Sequence, residues 1–328
     1  MTFADPELES SVAAILRDVE AVLIDAVHSA NPLVTEAARH LVDAGGKRFR
    51  PLLVGLAAHF GGDPSNEEVV KAGAVVELTH LATLYHDDVM DEATVRRGAP
   101  SANSRWGNAL AILIGDYLFA RAADLAADLG IEAVKIQAST FSRLVHGQVA
   151  ETAGPLDGED AITHYLRVIS QKTGSLISTS ARFGAMFGGC PPEQTEALAT
   201  FAETFGIAFQ LSDDLIDIAS ESTQSGKTPG TDLREGVPTL PVLYALASTD
   251  DDAASVRLRE ILAAGPVTDD ALHGEALGLL RDSAALKQAR ETVRGYADRA
   301  RAALAPLPHV PARAALESLC DFIADRTN

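Results

Sequence analysis

Apolar residues along this chain recur at intervals of three and four, broken by Gly, Pro and Asn, and nowhere alternate long enough to suggest a strand. The pattern predicts a helix over 7–29, stopped before Asn31-Pro32, and a second over 33–44, ended by Gly45-Gly46. A helix over 51–60 runs into the Gly61-Gly62-Asp63-Pro64 turn, and a long one extends from Asn66, its expected cap, to Asp91. After a loop holding Arg96-Arg97-Gly98-Ala99-Pro100 come helices over 108–129 and 131–152. Another ends near Gln171, and Thr173 to Phe187 continues helically up to Gly188-Gly189-Cys190-Pro191-Pro192. A helix over 193–219 precedes a polar stretch rich in Gly, Ser and Thr, and shorter helices fill the chain to 325. No linker divides it. The expectation is one all-α domain over 1–328.

Composition narrows the class. The 328 residues are 47% hydrophobic, enough for a sizeable core, while aromatics reach only 5% and alanine is abundant, which favours closely packed helices. A net charge of −19 excludes nucleic acid as a partner, because phosphate binding there needs a basic surface. Against that background the clusters Lys47-Arg48-Phe49-Arg50 and Arg96-Arg97 stand out. Cys190 and Cys320 have no metal-binding spacing and read as reduced thiols of a cytoplasmic protein. The acidic N-terminus lacks a signal pattern, and no run of about 18 apolar residues exists that could span a membrane.

Two acidic motifs carry the chemistry: Asp87-Asp88-Val89-Met90-Asp91 and Asp213-Asp214-Leu215-Ile216-Asp217. In each, the outer aspartates lie four apart and stack on one helix face, with the middle one about 100° around. Stacked carboxylates repel unless a cation sits between them. Hard oxygen ligands in apolar helices suit Mg²⁺, which completes its shell with water and substrate phosphates. Neither motif has the glycine-turned loop of an EF-hand. The alternative for either motif alone is a solvated acidic face. The segment Gly45-Gly46-Lys47-Arg48-Phe49-Arg50-Pro51 sets three cations at a helix junction, either as an anion site or as a helix end with favourable dipole charges. Arg96 and Arg97 follow the first motif closely and either pair with its aspartates or grip phosphate.

In combination, GGKRFRP, LYHDDVMDEATVRRGAPSAN, KTGSL, FQLSDDLID and GKTPGTDLREG resemble the trans-isoprenyl (polyprenyl) diphosphate synthase family, in the family's order from residue 45 to 236. The resemblance implies an all-helical bundle around a deep central cavity, and head-to-tail joining of isopentenyl diphosphate to an allylic prenyl diphosphate. It makes Asp87, Asp91 and Asp213 the main Mg²⁺ ligands, with Asp88, Asp214 and Asp217 direct or water-mediated. Lys47, Arg50, His80 and Arg97 match the isopentenyl diphosphate site, and Arg96, Lys172 and Lys227 match groups on the allylic diphosphate. Thr173 and Gln210 match the polar pair near the developing cation. Gln148 and Glu151 stand where short-chain members carry Gln and Asp. The polar 220–236 segment would act as a lid. A homodimer is implied, with transient membrane contact for release of an oily product.

Two competitors fit less well. A terpene cyclase would carry a second metal motif rich in Asn, Ser and Glu, and a regulatory subunit of a heteromeric synthase would have lost aspartates or the Lys-Arg site. Product length has a ruler: Thr79, Ala82 and Thr83, one and two turns before Asp87, are all small, so a growing tail can pass. The floor then lies deeper, at a residue such as Phe141 or Leu144. At roughly 5 Å per isoprene unit against a ~5.4 Å helical pitch, this predicts a long product on the order of 35 to 50 carbons, suited to a quinone side chain. The alternative is a geranylgeranyl-length product.

Overall fold

The computed structural model describes residues 3–219 and 229–326, so Lys227 lies outside the described residues. In chain order the helices are α1 (Pro6–Ala26), α2 (Pro32–Asp43), α3 (Phe49–Ala58), α4 (Glu67–Met90), α5 (Ala102–Trp106), α6 (Asn108–Asp128) and α7 (Ile131–Ala153). They continue as α8 (Ala161–Ile169), α9 (Ser175–Phe187), α10 (Pro192–Ala219), α11 (Thr231–Glu235) and α12 (Leu240–Ala247), then α13 (Ala253–Ala263), α14 (Asp270–Asp282), α15 (Ala284–Ala303) and α16 (Pro311–Asp325). Among the described residues the only strands are a two-residue pair, Val95–Arg96 against Ala99–Pro100. The all-α expectation holds.

Local chemistry sets the helix starts. Asp5, Asn31, Asn66 and Asp160 each cap a helix by accepting a backbone N–H from its first turn. Pro6 and Pro32 follow their caps at positions where a missing N–H costs nothing. α8 and α9 are joined without a break by a π turn over Ser170–Gly174, where a helix end near Gln171 was expected.

By its internal contacts the chain forms two compact units. The first comprises residues 1–143, 176–202 and 304–316. Its centre is α4, packed against α6, α1 and α3 and buried on nearly every side from Val69 to Ala82. A helix that is apolar all round must be wrapped in this way. Leu53, Leu78, Tyr85, Ile114, Phe183 and Phe201 form its core. The second unit comprises residues 144–175, 203–303 and 317–328. There α12 packs against α15, α13 and α8, over a core that includes Phe205, Leu211, Leu215, Leu280 and Val293.

Candidate active site

The first unit carries the first acidic motif at the end of α4, with Asp91 as the C-cap residue. Asp87 and Asp91 keep accessible surface, whereas Asp88 is 0% exposed. Arg96 Nε donates to Asp88 Oδ1 at 2.6 Å, and Asp88 Oδ2 is buried with no hydrogen-bond partner. Burial raises the Asp88 carboxyl above its usual range, and Arg96 opposes that shift. The outer aspartates therefore face outward, and the middle one anchors Arg96.

The basic cluster divides in the same way. Arg48 does not join an anion site: its guanidinium is paired with Glu20 and with Glu77, both at 2.9 Å, and it donates to Val42 O. Glu77, 2% exposed, was not singled out from the sequence, although a lone carboxylate inside the apolar run of α4 was the available signal. Arg97 Nη1 donates to Leu41 O at 3.0 Å and to Gly45 O. Its guanidinium lies so close to Gly46 that a Cβ there would sit 3.1 Å from Cζ, and Gly46 has φ +151. Glycine is needed at this contact. Arg48, Glu92 and Arg97 all take positive φ, 44, 51 and 54, in the loops that flank these groups. Such backbone is strained for residues with a Cβ and concentrates at functional segments.

Arg50 and Arg97 come close enough to His80 to act on its charge. Burial, followed by repulsion from Arg50 and Arg97, pushes the imidazole well below its ordinary value and holds it neutral. Burial also lowers Arg50 to about 10, with Glu77 opposing, and its Nε is buried without a partner. Lys47 is exposed beside them. Of the three ruler residues, Thr79 and Ala82 are closed off in the core at 1% and 0% exposure, because α4 is wrapped there. The expected open row thus reduces to Thr83, which alone keeps accessible surface. Phe141 packs against Phe119 with ring centroids 4.2 Å apart and the rings tilted at 49°, and Leu144 is buried.

The second unit carries the second motif near the end of α10, and each aspartate holds a different element. Asp213, with its side chain 46% exposed, accepts from Arg326 at the end of α16, which also reaches Ser212 Oγ at 2.6 Å. Asp214 accepts from Tyr165 Oη and, at 2.9 Å, from Gln210 Nε2. Asp217 accepts backbone N–H groups of Thr231 and Asp232 at the start of α11. Burial is the main cause that pushes the Asp214 carboxyl up to about 6, helped by Asp213 and Asp217 and opposed by its two donors.

The π turn sets Lys172 and Thr173. Lys172 Nζ pairs with Glu151, and Thr173 Oγ1 donates to Gln210 Oε1 at 3.1 Å. α7 approaches the turn so closely that a Cβ on Gly147 would lie 2.8 Å from Gln171 Cβ and 2.9 Å from Lys172 Cγ. A cavity of about 300 Å³ is lined by Glu151, Tyr165, Lys172, Thr173, Gln210 and Asp214, among others. Neither Tyr165 nor Arg326 was expected, since no motif marks them and each acts on a partner at least 49 residues away. Among the described residues no three His, Cys, Asp or Glu side chains form a metal cage by themselves. No helix of the described residues is long and apolar enough to cross a membrane.

Known proteins are similar to this chain in sequence and fold. The family model for polyprenyl synthetase matches residues 31–276. A nonaprenyl diphosphate synthase of Mycobacterium tuberculosis is 52% identical over 98% of this chain and 95% of its own length. The crystal structure of a geranylgeranyl pyrophosphate synthase from Corynebacterium glutamicum, complexed with calcium and isoprenyl diphosphate, covers both chains fully with TM-score 0.90 and 45% identity. A decaprenyl diphosphate synthase from Rhodobacter capsulatus covers 98% of this chain and 99% of its own with TM-score 0.88 and 36% identity. The chain belongs to the polyprenyl synthetase family, whose members are prenyltransferases of all-α fold.

Proposed function

We propose that this enzyme adds isopentenyl diphosphate units head to tail to an allylic diphosphate and releases a long all-trans polyprenyl diphosphate of roughly 35 to 50 carbons, a reading supported by its likeness to a nonaprenyl and a decaprenyl diphosphate synthase. The observation that carries the reading is the sorting of the two acidic motifs: Asp87, Asp91 and Asp213 keep accessible surface, whereas Asp88 is buried against Arg96 and Asp214 against Tyr165 and Gln210. That donor set fits a hard divalent cation. Carboxylates too few to cage an ion leave positions for water and phosphate oxygens, the habit of Mg²⁺.

Asp87, Asp91 and Asp213 would hold Mg²⁺, which when bound supplies the charge that lets diphosphate depart without proton transfer. Lys47, Arg50 and Arg97 bind the diphosphate of isopentenyl diphosphate, and neutral His80 donates a hydrogen bond there without adding charge. Arg96, oriented by Asp88, and Lys172, held by Glu151, grip the allylic diphosphate. Lys227 joins them. Thr173 and Gln210 set oxygens against the positive charge that develops on the allylic carbon. Holding both substrates in line supplies much of the acceleration.

A geranylgeranyl-length product is the second reading, favoured by the likeness to the Corynebacterium enzyme. One assay decides. Purified protein is given Mg²⁺, excess isopentenyl diphosphate and geranyl, farnesyl or geranylgeranyl diphosphate, and products are sized by mass spectrometry. Long chains support the reading, a stop at geranylgeranyl length supports the second, and cyclised hydrocarbon or no condensation overturns both. We further propose a cytoplasmic homodimer that touches membrane only at product release. Ile112 and Leu113 of α6 stand 42% and 61% exposed, and large apolar side chains in that state favour a partner surface. Sedimentation of wild type against Leu113→Asp tests the assembly.

A further inference from the structure

The middle aspartate of the second motif is turned into the protein, and each of its oxygens already accepts a hydrogen bond from a side chain. Tyr165 Oη donates to Asp214 Oδ2, and Gln210 Nε2 donates to Oδ1 at 2.9 Å. The residue is 8% exposed. An ionised carboxylate only accepts hydrogen bonds, so it forces the amide nitrogen of Gln210 toward itself. The amide oxygen must then point the other way, where Thr173 Oγ1 donates to it at 3.1 Å. Tyr165, Asp214, Gln210 and Thr173 all line the same cavity in the second unit. A flipped amide would aim two N–H donors into that cavity, and positive charge there would be repelled.

We propose that Asp214 and Tyr165 are positioning residues rather than metal ligands, and that together they lock the Gln210 carboxamide with its oxygen toward the developing allylic cation. In the first motif the middle aspartate is likewise buried and orients a side chain, Asp88 accepting from Arg96 at Oδ1, although its Oδ2 has no hydrogen-bond partner. The inference rests on the prenyltransferase reading. It differs from a simple count of six ligands, because in the second motif Asp213, exposed and paired with Arg326, is the residue that would hold the metal, while Asp217 holds the N–H groups at the start of α11.

The test compares Tyr165→Phe, Asp214→Asn, the exchange pair Asp214→Asn with Gln210→Glu, and Asp213→Asn as the ligand control. Asn at 214 can donate to residue 210, which turns the amide, whereas Glu at 210 accepts that bond and restores an oxygen opposite Thr173 at unchanged net charge. Mg²⁺ binding is read by calorimetry with inorganic pyrophosphate as the probe, and kcat and KM by product formation at neutral pH.

Tyr165→Phe and Asp214→Asn are expected to lower kcat about 10- to 100-fold, with KM for isopentenyl diphosphate and Mg²⁺ affinity within about twofold of wild type. The exchange pair should recover at least about tenfold of the loss in the Asn variant. Asp213→Asn should weaken Mg²⁺ binding outright. Three results overturn the proposal: Mg²⁺ affinity falling in Asp214→Asn as it does in Asp213→Asn, an exchange pair no faster than Asp214→Asn, or wild-type kcat in Tyr165→Phe. Should Asp214→Asn not fold, Tyr165→Phe and the exchange pair decide. A wild type that makes no polyprenyl product refutes the reading beneath it instead, and is seen before any variant is made.

Discussion

The role of each carboxylate here follows from the direction in which its side chain leaves the helix. Residues four apart share a face, and the one after the first points about 100° away. That Asp87 and Asp91 share a face was therefore legible from spacing, and so was the different direction of Asp88 and Asp214; which face stays accessible was not. What those two would meet was not legible, because Tyr165 and Arg96 come from other elements. Asp87→Ala and Asp213→Ala should each lower kcat by about 10³-fold or more, since the departing diphosphate loses its counter-charge. Steady-state rates of folded variants, checked by circular dichroism, test this; near-normal turnover in either would refute it. Cysteines give a second residue-level expectation. Burial pushes Cys190 up to about 11 and Cys320 up to about 12 from an ordinary 9.0. A folded value raised above the unfolded one favours the protonated form. That part of the stability is fully present below the unfolded value of 9.0 and is lost as pH rises through about 11 and 12. Near pH 8, native protein should react with a thiol reagent far more slowly than protein in denaturant, because the thiolate is scarce and Cys320 is 0% exposed. Equal rates in the two states would contradict this burial.

At the level of elements, helix positions followed from caps and breakers, so α1, α2, α4, α6 and α7 lie within a few residues of their expected bounds. The five-residue α5 and the two-residue strands were missed, because neither is long enough to show a period. The π turn was missed for a different reason. One extra residue in a helical turn has no composition of its own, and tertiary packing decides it. One neighbour packed against it is Gly147 on α7, which lets that helix come close to Gln171 and Lys172. Gly147→Ala should push the π turn away by about half an ångström or more and misplace both Lys172 and Thr173. The expected outcome is a kcat lowered about tenfold or more with Mg²⁺ affinity unchanged, since misplacement of positioned groups costs rate steeply. Rapid single-turnover measurements with a farnesyl primer would show whether the loss lies in the allylic ionisation step. A Gly147→Ala enzyme with wild-type single-turnover rates would mean that the close approach does not position the turn.

On the scale of the whole molecule, a chain of net charge −19 must hold anionic substrates through local groups of cations, the role proposed above for Lys47, Arg50, Arg96, Arg97 and Lys172. Chain length is the property least legible in advance, because it depends on which small residues of α4 stay open once neighbours pack. The spacing put Thr79, Ala82 and Thr83 on one footing, yet the helix is wrapped around the first two and leaves surface only at Thr83. Thr83 lies one turn before Asp87, so in the proposed reading a tail growing away from the diphosphate would meet it first. A ring at this position blocks passage, and Thr83→Phe should shift the product from long chains toward farnesyl or geranylgeranyl length with an unchanged Mg²⁺ requirement. Ala82→Phe should shorten the product too, but at a cost in stability of about 1–3 kcal/mol, because its ring must displace neighbours already in contact. Product sizing by mass spectrometry together with thermal melts separates the two effects. Long products from Thr83→Phe would move the ruler off α4, and Ala82→Phe with an unchanged melting temperature would mean that the space around residue 82 is open after all.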